Sequence, residues 1–458
     1  MNGFGKKIKL GVLFGGDAVI LYFSLYLALT VRNWELPQST IWQQHFYPFS
    51  IAFGIWLIVF IIAGLYDLRV IKNESKFLEK LIRTIIFNAL FAILVFYLIP
   101  SFRLAPKTNL SLTILFSTSL IFSWRFLFNK MLEKTIQNKI LFFGITPEVI
   151  EMADYLKHNP QFGYETSALM LAEDEEQINS LPYHVFSFDH SLEHIVKDNF
   201  IDTIVVSENL KENKTFVKMF FEIIPLGAAI MDFPEFYESI TGKIPVSLIQ
   251  EVWFLEHLVG GKKHVLEFFK RTADILLSIL LLIPTLALTP FVALLIKISS
   301  EGPVFYRQSR VGRHGKEFWL LKFRSMIKDA DKIKGIKKID GEDLRYTKIG
   351  LFLRKSYLDE LPQIWNILKG EMSFVGPRPE RPEYVHELKK NIPFYEMRLL
   401  VTPGITGWAQ INMEDDASVE DAPEKMQYDL YYIKNQSFLL DLNIILKTIL
   451  TILSRSGR

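Results

Sequence analysis

Ile275–Ile296 reads ILLSILLLIPTLALTPFVALLI, 22 residues without a charge, and the reading of this run decides the architecture. A helix of that length is long enough to cross a bilayer, which takes roughly 20 apolar residues. Its flanks argue against one crossing. Lys262, Lys263, Lys270 and Arg271 precede it, and Lys297, Arg307, Arg310, Arg313, Lys316, Lys322 and Arg324 follow, so both sides carry the cytoplasmic excess of cations. Pro284 and Pro290 interrupt the run, and each removes a helical hydrogen bond. The expectation is a re-entrant helical hairpin over about 272–298, entering and leaving on one side. The competing reading, a kinked ordinary span, strands the basic half on the far side.

Upstream, Leu10–Val31, Phe46–Tyr66, Thr84–Phe102 and Thr108–Trp124 are apolar, the last three free of charge. Residues 1–134 therefore read as a membrane α-helical bundle of four spans, the fourth being marginal in length. Lys6, Lys7 and Lys9, then Arg69, Lys72, Lys76 and Lys80, then Lys130, Lys134 and Lys139 mark the cytoplasmic flanks. The first segment has no small-residue cleavage site behind it and reads as a retained anchor. Asp17 inside it calls for a partner within the bundle, a place near the interface or a function.

Residues 135–258 alternate strand-like and helical patterns. Lys139–Gly144, Thr166–Ala172, Ile201–Ser207 and Gly227–Phe233 are strand-like, and Pro147–Lys157 has helical spacing. This predicts a small α/β, Rossmann-like domain with parallel strands. The first turn, Gly144-Ile145-Thr146-Pro147-Glu148, holds one glycine where a dinucleotide fingerprint wants three. The expected role is regulation or assembly rather than nucleotide binding. The acidic patch Glu173–Glu176 reads as a solvated loop.

Composition agrees with a mixed membrane and soluble protein. Of 458 residues half are hydrophobic, with 38 Phe, and the formal charge is +2; mean hydropathy is +0.20. Near-neutral net charge gives no case for nucleic acid. Zero Cys excludes disulfides, thiolate catalysis and cysteine-based zinc sites.

The chemistry concentrates in residues 259–458. Arg354-Lys355-Ser356-Tyr357-Leu358-Asp359-Glu360-Leu361-Pro362-Gln363 sets two adjacent carboxylates behind two cations. One carboxylate is able to attack phosphorus, its neighbour to hold a divalent cation, and the arginine to neutralise phosphate oxygens. The plainer alternative is an acidic N-terminal cap on a helix over Leu361–Leu368. In a strand over Trp319–Met326, Lys322 and Arg324 are two apart and share a face, which aims both at one site. Between Lys297 and Lys355 there are 16 Lys and Arg against 7 Asp and Glu, a balance suited to lipid headgroups and phosphorylated substrates. Two prolines flank Arg378 in Gly376-Pro377-Arg378-Pro379 and restrict it to a rigid turn, fit for a phosphate or a structural ion pair. Phe438–Leu453, broken by Asp441 and Lys447, predicts an amphipathic helix on the membrane or on the core.

The motifs KRTADILLS, GPVFYRQSRVGRHGKEF, LKFRSM, LRKSYLDELPQIWNILKGEMSFVGPRPE and VTPGITGWAQIN resemble the bacterial sugar transferase family, over about residues 262–458. The resemblance implies an α+β phosphoglycosyl transferase domain that moves a sugar 1-phosphate from a UDP-sugar to undecaprenyl phosphate. It implies Asp359 as nucleophile, Glu360 as partner carboxylate, Mg2+ at that pair, and Lys322, Arg354 and Arg378 as active-site cations; Arg324 is a further phosphate-binding candidate from its place beside Lys322 alone. It also implies a multi-pass protein of the bacterial inner membrane, catalytic domain facing the cytoplasm, that initiates exopolysaccharide, capsule or O-antigen synthesis. A homodimer through the middle unit or the bundle is compatible with this organisation. The chain departs from the family pattern in two places. No proline occurs at Leu286 or Ala287, where the family bends its hairpin, Pro284 and Pro290 bracketing that step instead, and Met413-Glu414-Asp415-Asp416 replaces a Gly-Arg pair. Two rival functions are a membrane-tethered nucleotide-sugar dehydratase and a noncatalytic scaffold for polysaccharide assembly. The first lacks a second glycine-rich turn and a YxxxK pair in the back half.

Overall fold

The computed structural model describes residues 2–66, 75–98, 107–134, 137–172, 181–188, 190–207, 214–258, 263–328, 330, 338–339, 342–343, 345–413 and 421–453. Positions 69, 72 and 262, the end of the third expected span, and the acidic stretches 173–176 and 414–416 fall outside these. The chain forms two compact units, residues 1–241 and 242–458.

The first unit opens with α1 (Asn2–Asn33), α2 (Ser39–Ile62), α3 (Ser75–Leu98) and α4 (Lys107–Lys134). Stretches of α1, α2 and α4 are long and apolar enough to cross a membrane. Lys9–Asn33 and Ser39–Ile62 qualify, as does Thr108–Met131, seven residues beyond the end expected for the fourth span. The first turns of α3 instead carry Glu79, Lys80 and Arg83. Asp17 finds its partner inside the bundle: it pairs with Arg125 of α4, which is as buried as itself. Tyr66 donates to the same carboxylate over 2.6 Å. Arg125 also donates to the Leu65 carbonyl at 2.8 Å, so one buried charge pair ties α1 and α4 to the end of α2.

The α/β part follows as β1 (Asn138–Phe143), α5 (Pro147–His158), β2 (Tyr164–Met170), β3 (Val185–Phe186), α6 (Leu192–Asp198), β4 (Thr203–Val206), α7 (Lys214–Ile223), β5 (Ala229–Asp232) and α8 (Phe233–Thr241). All strand pairs are parallel, in the order β3-β2-β1-β4-β5. The apolar run of β1 follows from its central place, since a parallel strand covered by helices on both faces has no solvent side. Successive rings point to opposite faces: Phe142 meets Phe233 and Phe236 of α8, and Phe143 meets Phe216 and Phe220 of α7. The four strands read from the sequence are present; the two-residue β3 is too short to leave a periodic signal.

The second unit comprises α9 (Glu251–Leu258), α10 (Lys263–Ser299), β6 (Phe305–Val311), β7 (Glu317–Phe323), β8 (Lys338–Ile339), β9 (Glu342–Asp343), α11 (Lys348–Lys355), a 3-10 turn (Leu358–Gln363), α12 (Ile364–Lys369), β10 (Ser373–Val375), α13 (Pro382–Asn391), β11 (Gly404–Thr406), α14 (Trp408–Asn412), α15 (Ala422–Asn435) and α16 (Phe438–Leu453). Helix α10 holds the apolar run with both prolines inside it, and its stretch Val265–Ser299 is a fourth segment apolar and long enough to cross a membrane. Both its ends are anchored on this unit. Near the start, Arg271 donates to the carbonyls of Ile367 (2.5 Å) and Leu368 (2.7 Å), placing a cation at the C-terminal end of α12, where the helix dipole favours one. Asp274 accepts from the Phe374 amide at 3.1 Å. Near the finish, Val292 and Ile296 pack with Phe323 and Leu353. The larger core gathers Ile244, Val246 and Phe254 with Trp408, Tyr428, Leu430 and Tyr432, so residues 244–258 belong to this unit.

Candidate functional site

Strands β6 and β7 form an antiparallel hairpin in which Tyr306 faces Lys322. The two-residue period places Phe318, Leu320 and Lys322 on one face. Phe318 and Leu320 pack on Ile367 and Met372, and Lys322 on that inward face reaches the 3-10 turn, its Nζ 2.7 Å from Glu360 Oε1. On the outward face Trp319 is exposed. Asn366 of α12 holds the arrangement together by accepting from the Leu321 amide (3.1 Å) and donating to the Trp319 carbonyl (2.8 Å). Sequence reasoning missed Asn366, whose only local signal is an amide side chain in an apolar helix.

Between α11 and the 3-10 turn, Tyr357 has φ 56°, a left-handed conformation uncommon for a side chain of this size. The reversal presents Asp359 and Glu360 in the first turn of the next element. The acid pair therefore does occupy a helix start, as the capping alternative requires, while Tyr357 at the cap position makes no side-chain cap bond. Asp359 is 7% exposed.

Arg378 enters from the Gly376–Pro379 turn, its guanidinium 3.3 Å from the same Glu360 Oε1. That turn is fixed from every side. The Gly376 amide donates to Thr406 (2.9 Å), and the Gly404 amide donates to Pro377 (3.0 Å). A Cβ on Gly404 would lie 2.1 Å from the Gly376 nitrogen, so the glycine of the PGITG motif allows backbone to pack on backbone. Behind the turn, Arg398 donates to the Arg378 carbonyl at 2.9 Å and pairs with Asp429 at 2.8 Å. Lys425 sits 2.5 Å from Glu380, and Arg310 donates to the Pro379 carbonyl at 2.9 Å. These charges carry no motif spacing in the sequence, because they come from four distant segments.

Two expected cations stand elsewhere. Arg354 lies over the Tyr346 ring, 4.7 Å from its centroid, and bonds the Tyr346 hydroxyl; it acts on Asp359 only through its charge. Arg324, expected beside Lys322, does not join the acid pair. Strand β7 ends at Phe323, so the alternation no longer sets its direction. Its guanidinium donates to Ser300 (2.7 Å) and Glu301 (2.9 Å) carbonyls, satisfying chain ends beyond α10.

Electrostatics separate the two carboxylates. Burial, opposed first by Lys322 and reinforced by Glu360, pushes Asp359 up to about 6. Burial works against ionising Glu360 as well, yet Lys322 and then Arg378 hold it down at about 2. At neutral pH the pair presents a fixed anion, already neutralised by two cations, beside a carboxylate near its own titration range. Among the described residues no group of three or more His, Asp or Glu gathers. Two adjacent carboxylates nevertheless fit magnesium, which is often held by one or two carboxylates with phosphate oxygens completing its shell.

Residues 265–455 match the bacterial sugar transferase family. A UDP-N-acetylgalactosamine-undecaprenyl-phosphate N-acetylgalactosaminephosphotransferase of Aeromonas hydrophila is 40% identical over 220 residues, 48% of this chain and 51% of that protein. The match thus spans about half the length of that relative. A UDP-glucose:undecaprenyl-phosphate glucose-1-phosphate transferase of Xanthomonas campestris pv. campestris is 32% identical over 334 residues, 69% of this chain and 67% of that protein. An undecaprenyl-phosphate galactose phosphotransferase of Salmonella typhimurium is 36% identical over 222 residues, 45% of each.

Proposed function

Since the chain belongs to the bacterial sugar transferase family, we propose that it transfers a sugar 1-phosphate from a UDP-sugar to undecaprenyl phosphate and releases UMP. The observation that carries this reading is the pairing of Asp359, near its titration range, with a Glu360 clamped by Lys322 and Arg378. Attack by an anion on a diphosphate is slow unless the phosphorus is surrounded by positive charge. Here two cations meet at one carboxylate, and Arg354 adds its charge nearby.

In the proposed sequence, an Asp359 oxygen bonds to the β-phosphorus of the UDP-sugar while the bond to UMP breaks. The terminal phosphate of undecaprenyl phosphate then bonds to the same phosphorus and Asp359 leaves, regenerated as a carboxylate. Lys322 and Arg378 neutralise the phosphate oxygens in both steps. Asp359 and Glu360 would hold magnesium together with diphosphate oxygens, and the ion would supply further charge neutralisation.

The membrane placement is part of the same proposal. Arg271 and Val292 are 21 residues apart, about 31 Å in a straight helix at 1.5 Å per residue, yet both ends of α10 touch the segment from Phe323 to Leu368. Pro284 and Pro290 lie between. This supports a re-entrant hairpin that holds the acid pair at headgroup depth on the cytoplasmic leaflet of the inner membrane. The parallel sheet within residues 138–232 supports the Rossmann-like reading made for 135–258, with an assembly role such as a homodimer contact, and the whole would initiate exopolysaccharide, capsule or O-antigen synthesis.

Purified protein with Mg2+, UDP-sugar and undecaprenyl phosphate is expected to release UMP, and Asp359→Asn to abolish release. Normal release by that variant would eliminate the nucleophile.

A further inference from the structure

An open groove of about 80 Å3 runs between α10 and α16, several times the space that one water needs. Ala273 and Leu277 form one wall, Leu442 and Ile445 the other, and Phe374 and Val375 of β10 the floor. Its surface is almost wholly apolar. The polar groups that border it are engaged: Lys270 Nζ lies 2.6 Å from Asp441 Oδ2, Tyr432 donates to Asp441 over 2.8 Å, and Asp274 accepts from β10. This clamp braces α16 against α10 without closing the space between them.

We propose that the groove holds the polyisoprenoid chain of the lipid acceptor, an inference that rests on the function proposed above. Two observations select this occupant. The groove is continuous with the apolar side of α10 on which Phe269, Leu276 and Leu280 are exposed. Its floor also leads straight to the charge site: Val375 is three residues from Arg378, at most about 11 Å of extended chain, and Arg378 touches Glu360. A lipid phosphate at that cation therefore has an apolar track beside it along which its chain returns to the bilayer, with no isoprene unit left in water.

Ala273 is exposed on the groove wall, so Ala273→Trp fills the space without disturbing the core. Exposed Thr272, one residue away and outside the lining, provides the control Thr272→Trp. With the full-length protein, Ala273→Trp is expected to raise KM for undecaprenyl phosphate about tenfold, the worth of roughly two buried methylenes. KM for the UDP-sugar stays constant, and Thr272→Trp changes neither. An unchanged acceptor KM, or equal effects of both variants, overturns the groove. A diazirine-bearing undecaprenyl phosphate in phosphatidylethanolamine–phosphatidylglycerol vesicles supplies a readout independent of turnover. Labelling of α10 and α16 that unlabelled undecaprenyl phosphate competes away supports the proposal. Labelling elsewhere, or labelling by a diazirine phospholipid that resists this competition, replaces the occupant with a bilayer acyl chain or removes it. Wild-type protein that releases no UMP yet shows competed labelling would refute the proposed reaction and leave the groove standing.

Discussion

Replacing Asp359 with Asn should stabilise the second unit while it abolishes turnover. The folded protein holds this carboxyl at about 6, some two units above the ordinary carboxylate, and each unit corresponds to 1.36 kcal/mol. Ionising Asp359 inside the fold therefore costs about 3 kcal/mol at pH 7. The sign follows from proton binding: between about pH 4 and 6 the folded state binds more protons than the unfolded one, so stability is full at low pH and is lost as pH rises through 6. Asn mimics the neutral acid at every pH. Asp359→Asn should accordingly match wild type near pH 4 and exceed it by about 3 kcal/mol at pH 7.5. For a unit of roughly 200 residues that is about 6–12 °C in thermal midpoint. Thermal unfolding in detergent at the two pH values, without substrate or metal, measures it. A variant no more stable than wild type at pH 7.5, or equally shifted at both pH values, would refute the burial argument on which the assignment of Asp359 rests.

The acid limb of UMP release should fall at or below about pH 6, since burial holds Asp359 at about 6 without metal and a bound magnesium ion would lower it. Lys322→Met removes the largest favourable charge and moves that limb upward, whereas Glu360→Gln removes a repelling charge and moves it downward; pH–rate profiles that shift together, or not at all, would contradict this. Gly404→Ala drives a Cβ to 2.1 Å from the Gly376 nitrogen, displaces the turn that carries Arg378, and should reduce kcat by about 10²-fold or more, read directly from UMP release. In the bundle, Arg125→Leu leaves Asp17 buried and unpaired at a cost of about 3–5 kcal/mol, and adding Asp17→Leu should recover most of it; detergent melting curves of the single and double variants give the comparison.

Much of the architecture was legible because it is written in local periodicity. Long apolar runs marked α1, α2, α4 and α10, and a short β-rich run marked β1. The paired cations around Ile275–Ile296 also indicated that both ends of α10 belong with the basic half, and the contacts of Arg271 and Ile296 agree. Strand alternation put Lys322 on the face that meets Glu360, and the adjacent acids with the Pro-bounded Arg378 stood out because their chemistry is unusual wherever it occurs. Alternation misled at Arg324, since the two-residue period lapses where β7 stops and the side chain instead meets the free carbonyls after α10.

The sequence alone thus determined which segments are long apolar helices, where the main strands of the parallel sheet lie, and which residue types supply the charge. Only the tertiary structure decided that Lys322 and Arg378 meet on one oxygen of Glu360, that Asp359 is buried enough to be pushed toward neutral pH, and that Arg398, Asp429, Glu380, Lys425 and Asn366 hold the site in place. Side-chain direction within a helix or strand follows from its repeat, a property of neighbours along the chain. Contact between residues tens of positions apart, and the dielectric around a carboxylate, exist only once the packed interior has brought those segments together.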